Sequence, residues 1–306
     1  MKKPTVTIGI PAYNEEGNIK KLLKSLLQQK ATNFKLEKIL VISDGSTDKT
    51  NEIVRSVKSK IIILVVNKKR LGLNGTQNKI FNRINSDIAV LFDADILPKN
   101  NDCVEKLISP ILNDPQVGLT SGKLYAVRAM DTVIGRILAN AHEMKRKISE
   151  SLPNSNNVYL CAGRMRAFSK YLYKKLKWPD DIPEDAYSYF YCKSRGFRFI
   201  YVSKAICYFH PPTILSDHIK QNNRFITGKK ALKKYFDNYL LRREYKIPFL
   251  VVFIYCLAFL LKRPFSILAY FILMFYISFF KNLRVDHQSR YDIAVSSKRI
   301  EIDLIT

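Results

Sequence analysis

A pair of aspartates two positions apart gives this sequence its clearest capacity for chemistry. Asp93 and Asp95 follow residues 88–92, an apolar run that is predicted to form a β-strand. Side chains two positions apart on an extended segment point the same way. Carboxylate oxygens suit Mg²⁺ or Mn²⁺, which keep bound waters and complete their shells with substrate phosphates. The pair therefore predicts a metal site that neutralises a leaving diphosphate; the alternative is two aspartates in a solvated turn.

Another carboxylate, Asp44, stands at the end of a second predicted strand, residues 39–42, and opens the segment Asp44–Asp48 (DGSTD). Ser46 to Asp48 are residue types that cap helix N-termini, and they are predicted to cap the helix that follows. That interpretation leaves Asp44 without a structural role. A carboxylate at this position can accept hydrogen bonds from the imide of a nucleobase.

Two acids, Glu184 and Asp185, follow Pro183 at the start of a predicted helix. One of these carboxylates is suited to act as a general base on an acceptor hydroxyl. The alternative is that both acids only complement the positive end of the helix dipole.

Three further side chains are candidates for binding anionic groups. Arg70 follows the third predicted strand, where it can meet a base or a phosphate. Gln221 and Arg224 lie three positions apart, hence on one face of a predicted helix. Arginine can hold a diphosphate with two parallel hydrogen bonds. The alternative is a solvated basic surface, since four lysines follow between residues 229 and 234.

The elements that position these residues alternate between strand and helix. Strands are predicted at 6–10, 39–42, 61–66 and 88–92, with helices at 16–29, after 48, and at 74–84. This alternation predicts an α/β fold with a mainly parallel, twisted sheet flanked by helices. Ligands of such sheets bind outside the carboxyl ends of the strands. The acidic groups are therefore expected along one rim of the sheet.

A different order of elements is predicted beyond residue 116. The expected elements are a strand at 117–124, an amphipathic helix at 130–148, a polar loop at 151–157, a short strand at 200–202 and a basic helix at 214–239.

The composition limits the class of protein. With 306 residues and 47% hydrophobic content, the chain can bury a core, which argues against global disorder. The net charge of +25 is typical of chains that meet nucleic acid, anionic membranes or phosphorylated substrates, although a lysine-rich proteome gives the same bias. The five scattered cysteines argue against a zinc site or disulfide framework, and no signal peptide is expected at the N-terminus.

A long apolar segment, residues 247–280, is interrupted only by the KRP sequence at 262–264. A spanning helix needs about 20 apolar residues, and each half has about 15. Pro264 breaks a continuous helix, and basic residues on both flanks favour the cytoplasmic side for both ends. The segment therefore predicts a hairpin of two short helices that enters the membrane and returns; the alternative is a helical pair buried in a core.

Taken together, these motifs resemble family 2 of the inverting nucleotide-sugar glycosyltransferases, which have the GT-A fold. The resemblance spans roughly residues 5–230 and depends on five motifs in order. They are PAYNEE (Pro11–Glu16), DGSTD (Asp44–Asp48), FDAD (Phe92–Asp95), PEDAY (Pro183–Tyr187) and QNNRF (221–225), the last of which is close to the family's QxxRW.

The resemblance implies a role for each motif. The donor-binding residues that it implies are Pro11, Ala12, Tyr13, Glu15, Asp44, Arg70, Asp93, Gln221 and Arg224. Among these, Asp44 is expected to contact the nucleobase and Asp93 the ribose or the metal. Asp95 is expected to bind Mg²⁺ or Mn²⁺ with Asp93, and Asp185 to deprotonate the acceptor.

The resemblance also implies a domain order and a location. Residues 1–240 are expected to form the GT-A domain, with a nucleotide-binding half (1–115) and an acceptor-binding half (116–240). Residues 241–306 are expected to form the membrane-associated hairpin and tail, with the catalytic domain on the cytoplasmic face. The expected partners are a UDP-sugar, a glycan or lipid-linked acceptor and the membrane, with no nucleic acid. Phe225 replaces the tryptophan of QxxRW, and one short hairpin does not make an export channel.

Three alternatives remain at this level. A polyprenyl-phosphate sugar synthase would use the same fold, the same aspartate pair and the hairpin. A basic nucleic-acid-binding protein would explain the charge but not the carboxylates, and the sequence has no aromatic-basic recognition motif. A non-catalytic membrane scaffold would keep the hairpin without transferring a sugar.

Overall fold

The computed structural model describes residues 2–127, 132–152, 156–180, 182–219, 228 and 230–280. The described residues form one sheet of eight strands. The strands are β1 (Thr5–Ala12), β2 (Lys35–Ser43), β3 (Ile62–Val66), β4 (Ile88–Phe92), β5 (Ile96–Pro98), β6 (Val117–Ala126), β7 (Met165–Ser169) and β8 (Arg198–Phe209).

Helices cover both faces of this sheet and continue beyond it. They are α1 (Ile19–Leu27), α2 (Thr50–Ser56), α3 (Gly72–Asn82), α4 (Cys103–Asn113), α5 (Val133–Glu150), α6 (Lys170–Tyr173), α7 (Glu184–Ser194), α8 (Asn238–Glu244), α9 (Phe249–Lys262) and α10 (Pro264–Phe280). Short 3-10 helices lie at Val158–Leu160 and Leu232–Lys234.

The strand order is β3-β2-β1-β4-β7-β6-β8-β5. β1 to β4 pair in parallel, which confirms the predicted βαβ half of the sheet. β7 pairs antiparallel with both β4 and β6, β6 pairs parallel with β8, and β5 pairs antiparallel with β8. The sheet as a whole is therefore mixed, and its parallel character is confined mostly to the first four strands.

The core lies on both faces of the sheet because successive strand residues point to opposite sides. Val6, Ile8 and Ile10 of β1 pack in the cluster that contains α1 and α4. The opposite face packs against α3, which approaches β1 very closely: a Cβ on Gly9 would stand 2.5 Å from Ile80 Cγ2. A larger residue at position 9 would therefore push α3 away from the sheet.

The apolar segment forms two helices, α9 and α10, that break at Arg263. One side of each helix packs against α5, in a cluster with Ile267 and Tyr270 at its centre. The other side is open, with Phe249 80% and Phe265 88% exposed. The alternative of a helical pair buried in a core is wrong. By length and apolar composition, Asn238–Lys262 is a candidate membrane span within the described part of the chain.

Some predicted boundaries differ from the structure. The predicted strand 200–202 is the middle of a twelve-residue strand, β8, because its polar residues Ser203 and Lys204 interrupt the apolar pattern without interrupting the strand. Of the predicted helix 214–239, the described residues are helical at 215–219, at 228 and at 230–231. The 3-10 turn Leu232–Lys234 follows, and α8 begins at Asn238.

Candidate active site

Three of the predicted motifs meet at one edge of the sheet. Ala12, Ser43 and Phe92 are the last residues of β1, β2 and β4, which are parallel neighbours. The residues that follow each strand therefore emerge at the same edge. The next residues after these strands are Tyr13, Asp44 and Asp93, so the fold brings together the groups that the sequence placed on one rim.

The loop after β1 is clamped by the loop after β2. Asn14 has a positive φ of 51°; its Oδ1 accepts a hydrogen bond from Thr47 N at 2.8 Å, and its own N donates to Ser46 Oγ at 3.1 Å. Glu15 N donates to Thr50 Oγ1 at 2.7 Å. The DGSTD segment thus shapes the neighbouring PAYNEE loop.

The predicted N-cap at Ser46 to Asp48 is wrong in its details. The N-cap position of α2 is Lys49, which makes no side-chain capping bond. Asp48 accepts hydrogen bonds from Thr50 N at 3.0 Å and from Glu16 N at 3.1 Å, so it joins the two loops as well as the helix start. A partner more than thirty residues away cannot be read from local spacing.

Asp44 is buried, with 4% of its surface exposed. Its Oδ1 accepts hydrogen bonds from Asn67 Nδ2 and Leu71 N, both at 2.8 Å, and its Oδ2 accepts one from Gly72 N at 2.9 Å. The carboxylate therefore organises the segment between β3 and α3. A nucleobase at this point would lie beside a fixed Asp44 and would share its oxygens with that segment.

Arg70 folds over the ring of Tyr13, with Cζ 3.8 Å from the ring centroid. A cation at this distance is attracted by the negative face of the ring. Gly45, with φ of 74°, lies below: its missing Cβ would be 3.4 Å from Arg70 Cγ. Two predicted donor-binding residues, Tyr13 and Arg70, are thus in contact beside Asp44.

The aspartate pair faces an arginine that sequence reasoning missed. Asp93 N donates to Arg164 O at 2.9 Å, and Arg164 Nη1 forms an ion pair with Asp95 Oδ2. The antiparallel register explains the meeting, because Phe92 at the end of β4 is opposite Met165 at the start of β7. Arg164 Cζ also lies 4.8 Å from the ring centroid of Phe209.

The pKa of Asp93 is shifted because its carboxyl is buried near two other acidic side chains. The pKa of Asp93 is raised to about 7, mainly by burial and then by the nearby carboxylates of Asp95 and Glu184, while Arg164 and Arg166 oppose the shift. A buried carboxyl beside like charges gains from any cation that enters the site.

Asp185 lies in the first turn of α7, as predicted. Burial raises the pKa of the Asp185 carboxyl, and the charge of Asp93 also raises it, whereas Arg166 and the hydrogen bond from Ala186 N to Asp185 Oδ1, at 2.6 Å, lower it. The charge of Asp93 acts on the Asp185 carboxyl, so the start of α7 lies near the aspartate pair.

A second arginine missed by the sequence analysis, Arg166, anchors the start of α7. It is fully buried. Its guanidinium donates to Glu184 O at 2.9 Å, to Ser188 Oγ at 2.8 Å, to Gly163 O at 3.1 Å and to Gln77 Oε1 at 3.2 Å. A buried cation with so many fixed acceptors holds β7, α3 and α7 together. The sequence does contain a signal for these residues, because Arg164 and Arg166 flank Met165 at the start of a mostly apolar strand.

Space for Glu184 depends on Gly163. A Cβ at position 163 would lie 2.2 Å from Glu184 Oε1 and 3.6 Å from Asp185 Cβ. Any side chain at this position would therefore displace the carboxylate next to Asp185.

Two predicted site residues, Gln221 and Arg224, lie outside the described residues. Within the described part of the chain, no group of three or more His, Cys, Asp or Glu side chains is arranged to hold a metal by itself. Asp93 and Asp95 nevertheless fit Mg²⁺ or Mn²⁺ in their chemistry, because two hard oxygen donors are enough when a bound diphosphate supplies the others. The raised pKa of Asp93 is the observation that favours a cation there.

Comparisons with known proteins identify the family of this chain. The family description "Glycosyl transferase family 2" matches residues 7–177. The chain is 31% identical over 140 residues to "Probable glycosyltransferase YdaM" of Bacillus subtilis, covering 44% of this chain and 33% of that protein. It is 24% identical over 244 residues to Poly-beta-1,6-N-acetyl-D-glucosamine synthase of Staphylococcus aureus, covering 78% of this chain and 58% of the synthase. The chain thus spans between a third and three-fifths of these relatives.

Solved structures share the fold at low identity. A mannosyltransferase from Pyrobaculum calidifontis, in complex with GDP-Man and Mn²⁺, is 18% identical with a TM-score of 0.61, covering 94% of this chain and 77% of that one. Glucosyl-3-phosphoglycerate synthase from Mycobacterium tuberculosis, with Mn²⁺, UDP and phosphoglyceric acid, is 18% identical with a TM-score of 0.55, covering 75% and 78%. These neighbours confirm the GT-A fold.

Proposed function

This chain belongs to glycosyl transferase family 2, and from that premise we propose that it transfers a sugar from a nucleoside-diphosphate sugar, with a UDP-sugar expected, to a hydroxyl of a membrane-proximal glycan or lipid-linked acceptor. One observation carries the proposal. Asp93, Asp95 and Asp185 come together at the carboxyl edge of the sheet, and the pKa values of Asp93 and Asp185 are raised there.

The donor is proposed to lie along the loops that follow β1 and β2. Tyr13, Asp44 and Arg70 are in contact or near contact there. Pro11 and Ala12 end β1, and Glu15 lies in the loop that follows; all three are proposed to contribute to the donor site. An aromatic ring, a carboxylate and an arginine supply a stacking surface, a hydrogen-bond acceptor and a cation. Gln221 and Arg224 keep their predicted role at the donor diphosphate or the acceptor.

The metal is proposed to be Mg²⁺ or Mn²⁺, held by Asp93 and Asp95. When bound, such an ion neutralises the negative charge that develops on the departing diphosphate. Arg164 already supplies one positive charge to Asp95. With a metal and donor bound, the Arg164 guanidinium would be available to the Asp95 carboxylate or to the diphosphate, and in either case would supply positive charge to the site.

Asp185 is proposed as the general base. It takes the proton of the acceptor hydroxyl as that oxygen bonds to the anomeric carbon and the bond from that carbon to the diphosphate oxygen breaks. Attack from the face opposite the leaving group inverts the anomeric configuration. A base is most useful when its pKa lies near the working pH, and burial moves the pKa of Asp185 upward from the ordinary aspartate value.

The membrane partner is proposed from the exposed apolar sides of α9 and α10. Basic residues before the hairpin, including Arg242, Arg243 and Lys246, suit the anionic cytoplasmic surface of a membrane. The catalytic domain is accordingly proposed to lie on the cytoplasmic face.

A donor screen tests the function. Calorimetry with the full chain, UDP- and GDP-sugars and Mn²⁺ should give binding that depends on the metal. Purified glycan and polyprenyl-phosphate acceptors then separate an ordinary transferase from a polyprenyl-phosphate sugar synthase. Absence of donor binding and of turnover across all these combinations would overturn the proposal and leave the scaffold alternative. Binding to DNA that weakens steeply with salt, without donor binding, would favour a nucleic-acid-binding protein.

A further inference from the structure

Each helix of the hairpin has two different sides, although its sequence is apolar all round. The exposed side chains recur every three or four residues. They are Leu250, Phe253, Leu257 and Leu261 on α9, and Phe265, Leu268, Ile272 and Phe275 on α10. The opposite sides pack on α5, where Ile267 and Tyr270 are buried. The hairpin therefore presents one open apolar surface, and α5 covers the other.

The turn of the hairpin is fixed to the middle of α5. Arg263 Nη1 forms an ion pair with Glu143 Oε2 at 2.8 Å and also donates to Asn140 Oδ1. Farther along α10, the ring of Tyr270 lies 5.1 Å from Lys145 Nζ. The later residue of α10, Tyr270, thus contacts the later residue of α5, Lys145. The helix α10 therefore runs alongside α5 rather than away from it.

The helix α5 in turn packs on the catalytic sheet. Glu150 at its end accepts a hydrogen bond from Tyr201 OH at 2.9 Å and pairs with Lys123 at 3.3 Å. The ring of His142 lies 4.9 Å from that of Phe209 in β8. A turn tied to α5 is therefore held close to the catalytic domain and cannot reach the far side of a membrane.

Helix length leads to the same result. α9 has 14 residues, which is about 21 Å at the rise of an α-helix, against about 30 Å for the hydrocarbon core. The longer apolar stretch Asn238–Lys262 passes the length and composition test for a membrane span. It contains the non-helical residues 245–248, with Pro248 before α9, and so it is not one straight helix.

The charges at the two ends of α9 are alike. Lys246 precedes the helix and Lys262 ends it, and both side chains are exposed. A helix lying in the interface keeps both ammonium groups among lipid headgroups. A crossing helix would place Lys262 in the hydrocarbon or at the opposite surface. Two lysines and an apolar stripe between them fit an anionic leaflet.

We propose that the hairpin lies flat in one leaflet of an anionic membrane, with α5 between it and the catalytic sheet. This inference rests on the membrane association in the proposed function, and it replaces the hairpin that enters the membrane and returns. The catalytic domain is then held against the headgroup layer along the length of the hairpin rather than suspended from a spanning anchor.

Cysteine labelling tests the orientation. Cys103, Cys161, Cys192 and Cys207 are buried and Cys256 is partly exposed, so Cys256→Ser provides the background. The full chain is bound to sealed vesicles of equal parts phosphatidylcholine and phosphatidylglycerol, with the catalytic domain outside. A membrane-impermeant maleimide should label Lys246→Cys and Lys262→Cys to the same extent. Protection of Lys262→Cys until the vesicles are lysed would overturn the proposal.

Depth measurements give a second readout that does not depend on those lysines. A fluorophore at Phe253→Cys or Leu268→Cys should be quenched more by nitroxides near the headgroups than by nitroxides at the bilayer centre. Stronger quenching at the centre would contradict the flat hairpin.

Neither measurement depends on sugar transfer. An inactive protein that labels as expected therefore removes the proposed sugar transfer alone. An active, vesicle-bound protein in which Lys262→Cys is protected removes this inference alone. An active protein that does not bind vesicles removes both the proposed membrane association and this inference.

Discussion

Arg164 pairs with Asp95 through Nη1 and Oδ2, so the aspartate pair of this family 2 enzyme already has a protein cation beside it. Arg164 also lowers the pKa of Asp93, against burial and the neighbouring acids. The two contacts make Arg164 a competitor for the charge that a divalent ion would neutralise.

Replacing that competitor should tighten metal binding. Arg164→Met is expected to increase Mn²⁺ affinity in the presence of UDP by about tenfold, equivalent to about 1.4 kcal/mol, because one positive charge leaves the site. Titration of free Mn²⁺ by electron paramagnetic resonance measures the change. Arg198→Met, which breaks an exposed ion pair with Asp114, is the matched control. Equal Mn²⁺ affinity in wild type and Arg164→Met would refute the competition.

The raised pKa of Asp93 predicts how the stability of the metal-free protein depends on pH. The folded pKa of about 7 lies above the ordinary 3.8, so the folded state binds more protons between these values. The contribution of Asp93 to the free energy of unfolding therefore falls as pH rises, by about 1.4 kcal/mol per pH unit at most. Urea unfolding should show that Asp93→Asn gains stability relative to wild type between about pH 5 and about pH 7. A constant difference between the two proteins would exclude the raised pKa.

Replacing Arg166 should change both the free energy of unfolding and the pKa of Asp185, the proposed general base. Arg166→Met leaves the acceptors Gly163 O and Gln77 Oε1 without the donor that Arg166 supplies. Glu184 O loses one donor but keeps Trp178 Nε1. The loss is expected to lower the free energy of unfolding by about 3 kcal/mol. Loss of the guanidinium also raises the pKa of Asp185 further. The acidic limb of the kcat/KM profile should therefore move to higher pH. A less stable protein with an unmoved limb would give Arg166 a structural role only.

Two properties of Asn14 can be tested separately: the hydrogen bond that its side chain accepts and its positive φ. Asn14→Gly and Asn14→Ala both remove the bond that Thr47 N donates, but only glycine accepts the positive φ of 51° without strain. The alanine variant is expected to be less stable than the glycine variant by about 1 kcal/mol. Chemical denaturation of both variants gives the comparison, and equal stabilities would show that the backbone conformation is not a constraint.

The elements that the sequence predicts correctly are those marked by a pattern of neighbouring residues, such as a short apolar run. β4 was predicted at the residues that the structure shows, because its five apolar residues are all buried. The sequence predicts Asp44 and Asp93 on one rim, because the carboxyl ends of parallel strands share an edge, and the structure confirms this placement.

The remaining part depends on partners far away in the chain. Arg164 reaches Asp95 only because β7 pairs antiparallel with β4, a pairing that no residue spacing encodes. Ser46 and Thr47 form hydrogen bonds with Asn14 and do not cap the helix beside them. The sequence does not predict which side of each hairpin helix is covered, because the segment is apolar on every face. The covered side is the one that packs with α5.

The most direct test of Asp185 as the general base is one paired measurement on Asp185→Asn. The variant should bind the nucleotide-sugar in calorimetry with the affinity of wild type, while transfer to the acceptor falls by at least about a hundredfold, the contribution of a positioned base. Asp114→Asn, at an exposed ion pair, should retain both properties. Transfer at the wild-type rate by Asp185→Asn would contradict the assignment of the base, and loss of donor binding would make Asp185 a structural residue.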